Sequence, residues 1–312
     1  MIKSIEVSHI YGEYNHLTMI LESPEESEGY AVREVTGLTP GKTNISSVDW
    51  AIIDGSSVTT NRLGKRTISL DILFIEGCGR TIEQMRDYIY LYFPIKKKVK
   101  ITIHRTNGQS FFIHGYVEKN EPKIWSKEEG VNIDIMCPNP YFKDTKADVT
   151  NFMEQIDLWH FDSFEPRIEI PDESLDYPPR EEVYPIFPIS EMRVFKSRDV
   201  YNPSNVDVGL EMKIHAYGPV VNPGIYNETS QEMFRLIYDM TRDEEITIVT
   251  RDAEYSVTSN KRGNILQYVD LSINDWIKAY PGNNHISIFC GNDYGLENMN
   301  LIITSRAIYA GV

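Results

Sequence analysis

The sequence predicts a mainly β protein in two parts. Three observations carry this: apolar and polar residues alternate with period two along most of the chain, Asn107-Gly108 supplies a strong hairpin signal, and one stretch alone has the caps and stripe of a helix. The chain has 312 residues, about two domains' worth, and 41% apolar and 25% charged residues are ordinary for a globular protein.

From the start, Ile2, Ile5 and Val7, then Leu17, Met19 and Leu21, read as two strands around the turn Tyr11-Gly12-Glu13. Glu22 to Gly29 reads as a solvated acidic loop, and nothing in it spaces carboxylates around an ion. Strands follow at Tyr30 to Thr36 and Arg66 to Ile75. Thr81 as N-cap and Gln84 three residues on form a capping box. Ile82, Met85, Ile89 and Tyr92 line one face of that helix, which stops at Pro94. Two strands then flank Asn107-Gly108, and a strand at Val131 to Met136 runs into the phrase CPNPYF from Cys137 to Phe142.

Residues 1–144 thus form the first domain. The texture changes over 145–205, where seven of the 16 prolines fall among many acids; because proline withholds a ladder donor, this reads as a connector with a few short edge strands. Beyond it, from 206 to 312, short strands recur at Val208 to Ala216, Ile225 to Asn227, Met233 to Ile237, Glu245 to Thr250, Glu254 to Ser259, Ile286 to Cys290 and Met299 to Thr304. That spacing predicts a β-sandwich.

Charge narrows the function. Net charge is −15, which disfavours nucleic acid and anionic membrane surfaces, since both are held by Lys and Arg. Residues 1–144 carry 17 basic and 19 acidic groups, a net of −2, whereas 145–312 carry 14 and 27, a net of −13. A nearly neutral part packs against copies of itself with little repulsion, and a strongly acidic part stands in solvent. No stretch reads as a signal peptide or membrane span, so the expected compartment is cytoplasmic. Cys78, Cys137 and Cys290 then read as reduced thiols.

Catalytic and ligand-binding patterns do not form. Gly77-Cys78-Gly79 follows a strand and opens a helix, but Ile82 stands where a dinucleotide fingerprint needs its third small residue. A two-residue turn at Asn107-Gly108 would set His104 opposite Phe111 and His114 opposite Ile101, on opposite faces, so no metal pair is expected there. No GxSxG elbow, HExxH helix or Cys with nearby His context occurs. We expect no enzyme, no metal and no cofactor. Trp276 and Tyr280, near a turn in the second domain, are the candidates for stacking on a sugar ring; the plainer alternative makes Trp276 a core anchor.

At CPNPYFKD the reading becomes specific. This phrase resembles the close of the N-terminal domain in the distal tail protein (Dit) family of siphovirus-type tails. GLTPGK (Gly37 to Lys42) is similar to that family's early turn, RTISLDILF (Arg66 to Phe74) to its Arg-led strand, and YLYFPIKKKVKITI to its helix-to-strand passage. Val200 to Asn227 is similar to its Asn-Pro and Gly-Pro strand pair, and AIYAGV to its ending. The acidic stretch around Asp172 to Glu182 has no counterpart.

The resemblance implies a structural component of a phage, or of a phage-derived bacteriocin of Gram-positive bacteria. It implies a hexameric ring made by the N-terminal domains, which resemble a β-sandwich with one helix and a β-hairpin, and a galectin-like or carbohydrate-module-like β-sandwich beyond. The implied partners are further copies of the chain, the tail tube protein, the tape-measure protein, a tail-tip or tail-associated lysin protein and a receptor-binding protein. The implied location is the host cytoplasm during assembly and then the tail tip. The alternative function is an adhesion module that recognises a cell-wall sugar through the C-terminal sandwich.

Overall fold

The computed structural model describes residues 2–11, 15–23, 29–50, 53–75, 79–124, 127–157, 190–252, 254–270, 272–273, 275–292 and 294–312. The expected turn at Tyr11-Gly12-Glu13, most of the acidic loop, Gly77-Cys78 and the stretch around Asp172 to Glu182 lie partly or wholly outside these.

The first body is built from β1 (Ile2–Tyr11), β2 (Asn15–Leu21), β3 (Tyr30–Thr36), β4 (Thr43–Asp49), β5 (Ser56–Leu63), β6 (Arg66–Phe74), α1 (Ile82–Tyr92), β7 (Lys98–Arg105), β8 (Ser110–Lys123), β9 (Gly130–Cys137) and β10 (Phe142–Asp144). Its main sheet runs β2-β1-β7-β8-β9-β6-β3, with adjacent strands antiparallel. The two edges meet at a bridge between Glu22 and Ala31, where the Val32 N–H donates to the Glu22 carbonyl. Alternation decides which side chains enter the core: β6 buries every second residue, including Ile68, Leu70 and Ile72, and β9 buries Ile133 and Ile135.

The capping box of α1 forms as read, with Thr81 accepting from the Gln84 N–H and Gln84 accepting from the Thr81 N–H. Met85 and Ile89 are buried, and Phe93 ends the helix before Pro94.

The hairpin between β7 and β8 departs from its expected register. The Arg105 N–H donates to the Gln109 carbonyl and the Gly108 N–H to the Arg105 carbonyl, leaving Thr106, Asn107 and Gly108 as a three-residue loop. Gly108 takes φ +82°, which L side chains rarely adopt, so the tight turn closes one residue later than a two-residue loop would. His104 therefore pairs with Ser110, and His114 with Lys100. Both imidazoles consequently lie on the same face, not on opposite faces. Four residues of strand, about 13 Å at 3.3 Å per residue, separate them, and that separation keeps one ion from using both.

The second body contains β11 (Asp148–Asn151), β12 (Met153–Asp157), β13 (Ser190–Val194), β14 (Ser197–Asn202), β15 (Val208–Gly209), β16 (Glu211–Ala216), β17 (Val220–Val221), β18 (Gly224–Asn227), β19 (Glu232–Arg235), β20 (Asp239–Met240), β21 (Glu244–Val249), β22 (Ser256–Ser259), β23 (Gly263–Asn264), β24 (Lys278–Ala279), β25 (Gly282–Phe289) and β26 (Met299–Ser305). One sheet runs β11-β26-β16-β21-β22-β23 and another β14-β25-β18-β19. Met212, Ile246 and Leu301 of the first meet Val200, Phe234 and Ile286 of the second in a single buried cluster, which is a sandwich core. Two strands of the stretch 145–205 are thus members of these sheets, β11 beside β26 and β14 beside β25.

A last strand, β27 (Ile308–Tyr309), leaves this sandwich and pairs with β10 of the first sheet. The chain therefore passes out of the first body after Asp144 and returns to it at Ile308.

Candidate functional site

Four of the motifs that carry the family resemblance converge on one buried guanidinium. Arg66, which begins β6, is 5% exposed. Its Nη1 donates to the carbonyls of Gly37 (2.8 Å) and Thr39 (3.0 Å), its Nη2 to the carbonyl of Ala310, and its plane lies 4.6 Å from the ring centroid of Phe142. Turn, Arg-led strand, CPNPYF phrase and closing segment thus meet although 244 residues separate Arg66 from Ala310. Gly37 is required there, because a Cβ would come within 2.1 Å of the Thr67 carbonyl oxygen and φ is +85°. The Val312 N–H donates to the Leu38 carbonyl, and Tyr309 packs edge-on to Phe111, completing a strap across the first body.

A second contact between the bodies is polar. Lys143 donates to Asp252 at 2.5 Å and the Asn139 side chain donates to the other oxygen of Asp252 at 3.1 Å. Beside them is a cleft of about 340 Å³ lined by Phe112, His114, Lys143, Arg251, Asp252 and Arg306, among others. Lys100 and Arg306 both sit over the Phe112 ring. Burial, reinforced by Lys98, Lys143 and Lys100 and opposed by Asp252, pushes the His114 imidazole down to about 4.

An unfolded histidine protonates near 6.5, so His114 leaves stability intact above that pH and withdraws it as pH falls from about 6.5 towards 4. Replacing His114 with Gln is expected to flatten the loss of stability between pH 6.5 and 4.5. After discounting for solvent screening the difference amounts to about 1–2 kcal/mol. Thermal melts of both chains across that range measure it.

The two sugar-stacking candidates lie in the sandwich. Trp276 is half-buried against its core, 5.6 Å from Phe234 and 5.0 Å from Tyr255 between ring centroids. Tyr280 donates its hydroxyl to Glu232 at 2.6 Å, and that bond, with burial, pushes its pKa up to about 12. Both groups are engaged within the protein, by Tyr255 and Glu232, neighbours that sequence spacing does not reveal.

The surface that sequence reading missed is the arm formed by β4 and β5. These strands pair with each other and with no other strand among the described residues. Nearly every residue of both is exposed, on both faces. Ile45, Val48 and Val58 lie along the arm, and Trp50 (60% exposed) and Ile53 (69%) lie at its tip. A two-stranded ribbon on its own is marginal in water, and exposed apolar groups gathered in this way are characteristic of contact surfaces.

Among the described residues, no cluster of His, Cys, Asp and Glu could hold a metal ion, and no helix is long and apolar enough to cross a membrane. Cys137 is buried, which pushes its thiol up to about 12 and leaves it an inert core group.

Residues 203–298 match the family model described as siphovirus-type tail component, C-terminal domain. The structure of the Dit protein of phage SPP1, described as a paradigm of the hub adsorption apparatus in phages that infect Gram-positive bacteria, is similar over 90% of this chain and 94% of that one, with 13% identity and a TM-score of 0.58. A chain of the phage P2 baseplate in its activated conformation with Ca is similar over 100% of both chains, at 10% identity and a TM-score of 0.48. A comparison with curated proteins finds no match.

Residues 203–298 thus match a siphovirus-type tail-component domain, and the two β bodies share the fold of the SPP1 Dit protein. The resemblance to the distal tail protein family, read from ordered turn motifs, agrees with both findings: the family model matches residues 203–298, and 90% of the chain shares the fold of SPP1 Dit.

Proposed function

We propose that this chain is the distal tail protein that closes a ring at the end of the tail tube and joins the tube to the tail tip or baseplate. The observation that supports this reading is the β4–β5 arm, a neutral-to-acidic ribbon with apolar groups on a body of net charge −2. A surface of this kind is completed by a different surface on the next copy, and such head-to-tail contacts close into a ring when the rotation between copies permits. Six copies are the expected number. The tube protein, the tape-measure protein, a tail-tip or lysin protein and a receptor-binding protein are the expected neighbours, with the acidic sandwich standing outward. No reaction is assigned to it.

Light scattering on the purified chain at high micromolar concentration tests the reading, with electron microscopy of the same sample. The expected result is a closed oligomer of about six copies. Replacing residues 44–62 with a short Gly-Ser turn is expected to give a folded monomer. A strict monomer from the intact chain, with no ring in the images, would falsify the proposal.

A further inference from the structure

Resting on the ring reading, we infer that the tip of the arm docks on the exit of helix α1 of the neighbouring copy, an apolar contact bordered by charges of opposite sign. The tip presents Trp50 and Ile53 between two exposed carboxylates, Asp49 and Asp54. No basic residue occurs from 43 to 61, so the tip is acidic throughout. The Trp50 N–H donates to the Gly55 carbonyl, so the two strands are joined by backbone up to the tip.

The complementary surface flanks the buried stripe of α1 and continues past the end of the helix. Met85 and Ile89 enter the core, which turns Tyr88 and Leu91 outward at helical spacing. Leu91 is 42% exposed, and Ile95, just past the helix, is 56% exposed. Three exposed lysines follow at once, Lys96, Lys97 and Lys98. Lys96 is held in place by backbone, its N–H donating to the Val117 carbonyl with φ at +66°. Arg80, stacked over Tyr88, adds a further cation at the other end of the patch, where exposed Glu83 and Asp87, one helical turn apart, are the acids, so the positive charge is concentrated at the lysine end.

Two features commit this surface to a second copy of the chain. Its charge is opposite to that of the arm tip, and apolar contact with a charged rim is the composition of an interface whose rim sets register. The arm and the helix exit are also different surfaces, which a head-to-tail contact requires and a two-fold contact does not. Other acidic partners with an apolar tip would compete for the same lysines, and the experiment separates them because both sides of the pair are altered in the same chain.

Three variants test the pairing by light scattering and sedimentation: K96E/K97E, D49K/D54K and the combination of all four changes. Circular dichroism and thermal melts confirm that each is folded, as these exposed positions require. Each double reversal is expected to raise the concentration needed for assembly at least tenfold, and the fourfold variant to recover most of that loss. Assembly of K96E/K97E at the wild-type concentration, or a fourfold variant no better than either double, overturns the pairing while the ring itself stands. A wild-type chain that never assembles overturns both together.

Discussion

Replacing Glu244 with Ala is expected to destabilise the second body by about 3–5 kcal/mol, because it removes the acceptor from a buried polar cluster and leaves the donors behind. Glu244 begins β21 and is 1% exposed. One carboxylate oxygen accepts from the Tyr238 hydroxyl at 2.5 Å and the Ser259 hydroxyl at 2.6 Å. The other accepts from the N–H and the hydroxyl of Thr241 at 3.0 and 3.1 Å. Burial pushes this carboxyl upward, but the bonds from Ser259, Tyr238 and Thr241 outweigh it and hold the group at about 2.

The sign follows: a carboxylate held below its ordinary 4.5 contributes stability that is complete above that value and is lost as pH falls from 4.5 towards 2. This window lies below that of His114, so the two groups separate in an acid titration. Glu244→Gln keeps an acceptor but turns an amide donor towards hydroxyls, and is expected to cost less than Ala. Urea unfolding at pH 7 and pH 3 measures both. If Glu244→Ala unfolds at the same urea concentration as the parent, the cluster is not holding the sheets.

The second large effect is expected at Arg66. Truncation to Ala strands the carbonyls of Gly37, Thr39 and Ala310 and removes the cation from the Phe142 ring. About 2–4 kcal/mol should be lost, and the loss should be local first, since the closing segment is held chiefly by these bonds and the β10–β27 pairing. The readout is amide exchange. The Val312 N–H, donated to Leu38, and the Asp144 N–H, donated to the Ala307 carbonyl, should exchange orders of magnitude faster, while amides of β9 keep their protection. Arg66→Lys should not rescue it, because one ammonium cannot reproduce a planar fork aimed at separate carbonyls. Unchanged exchange at Val312 in Arg66→Ala would show that the strap is held by strand pairing alone.

Much of the fold was legible because its causes are local. Alternation in RTISLDILF and in GVNIDIMC reports which residues face the core without reference to any partner strand. The capping box at Thr81 and Gln84 acts within one turn of helix, so it reads directly from spacing. The arm was not legible for the complementary reason. TNISSVD and SSVTTNRL lack a hydrophobic period because neither face is buried in the monomer, and period is a record of burial. The register of the β7–β8 hairpin was misread because Asn107-Gly108 fits loops of two or three residues, and the choice falls to the Arg105–Gln109 backbone bond.

The sequence alone determined a β-rich protein with one capped helix, a neutral first part, an acidic second part and a family resemblance carried by the order of its turns. Each is a property of neighbours along the chain or of composition. Tertiary structure alone decided that those turns meet at Arg66, that 148–305 lies between two strands of the first sheet, and that His104 and His114 share a face. These depend on which distant segments pair, and that is set by the closure of both cores at once, where each contact is weak alone and selected only in the company of the others.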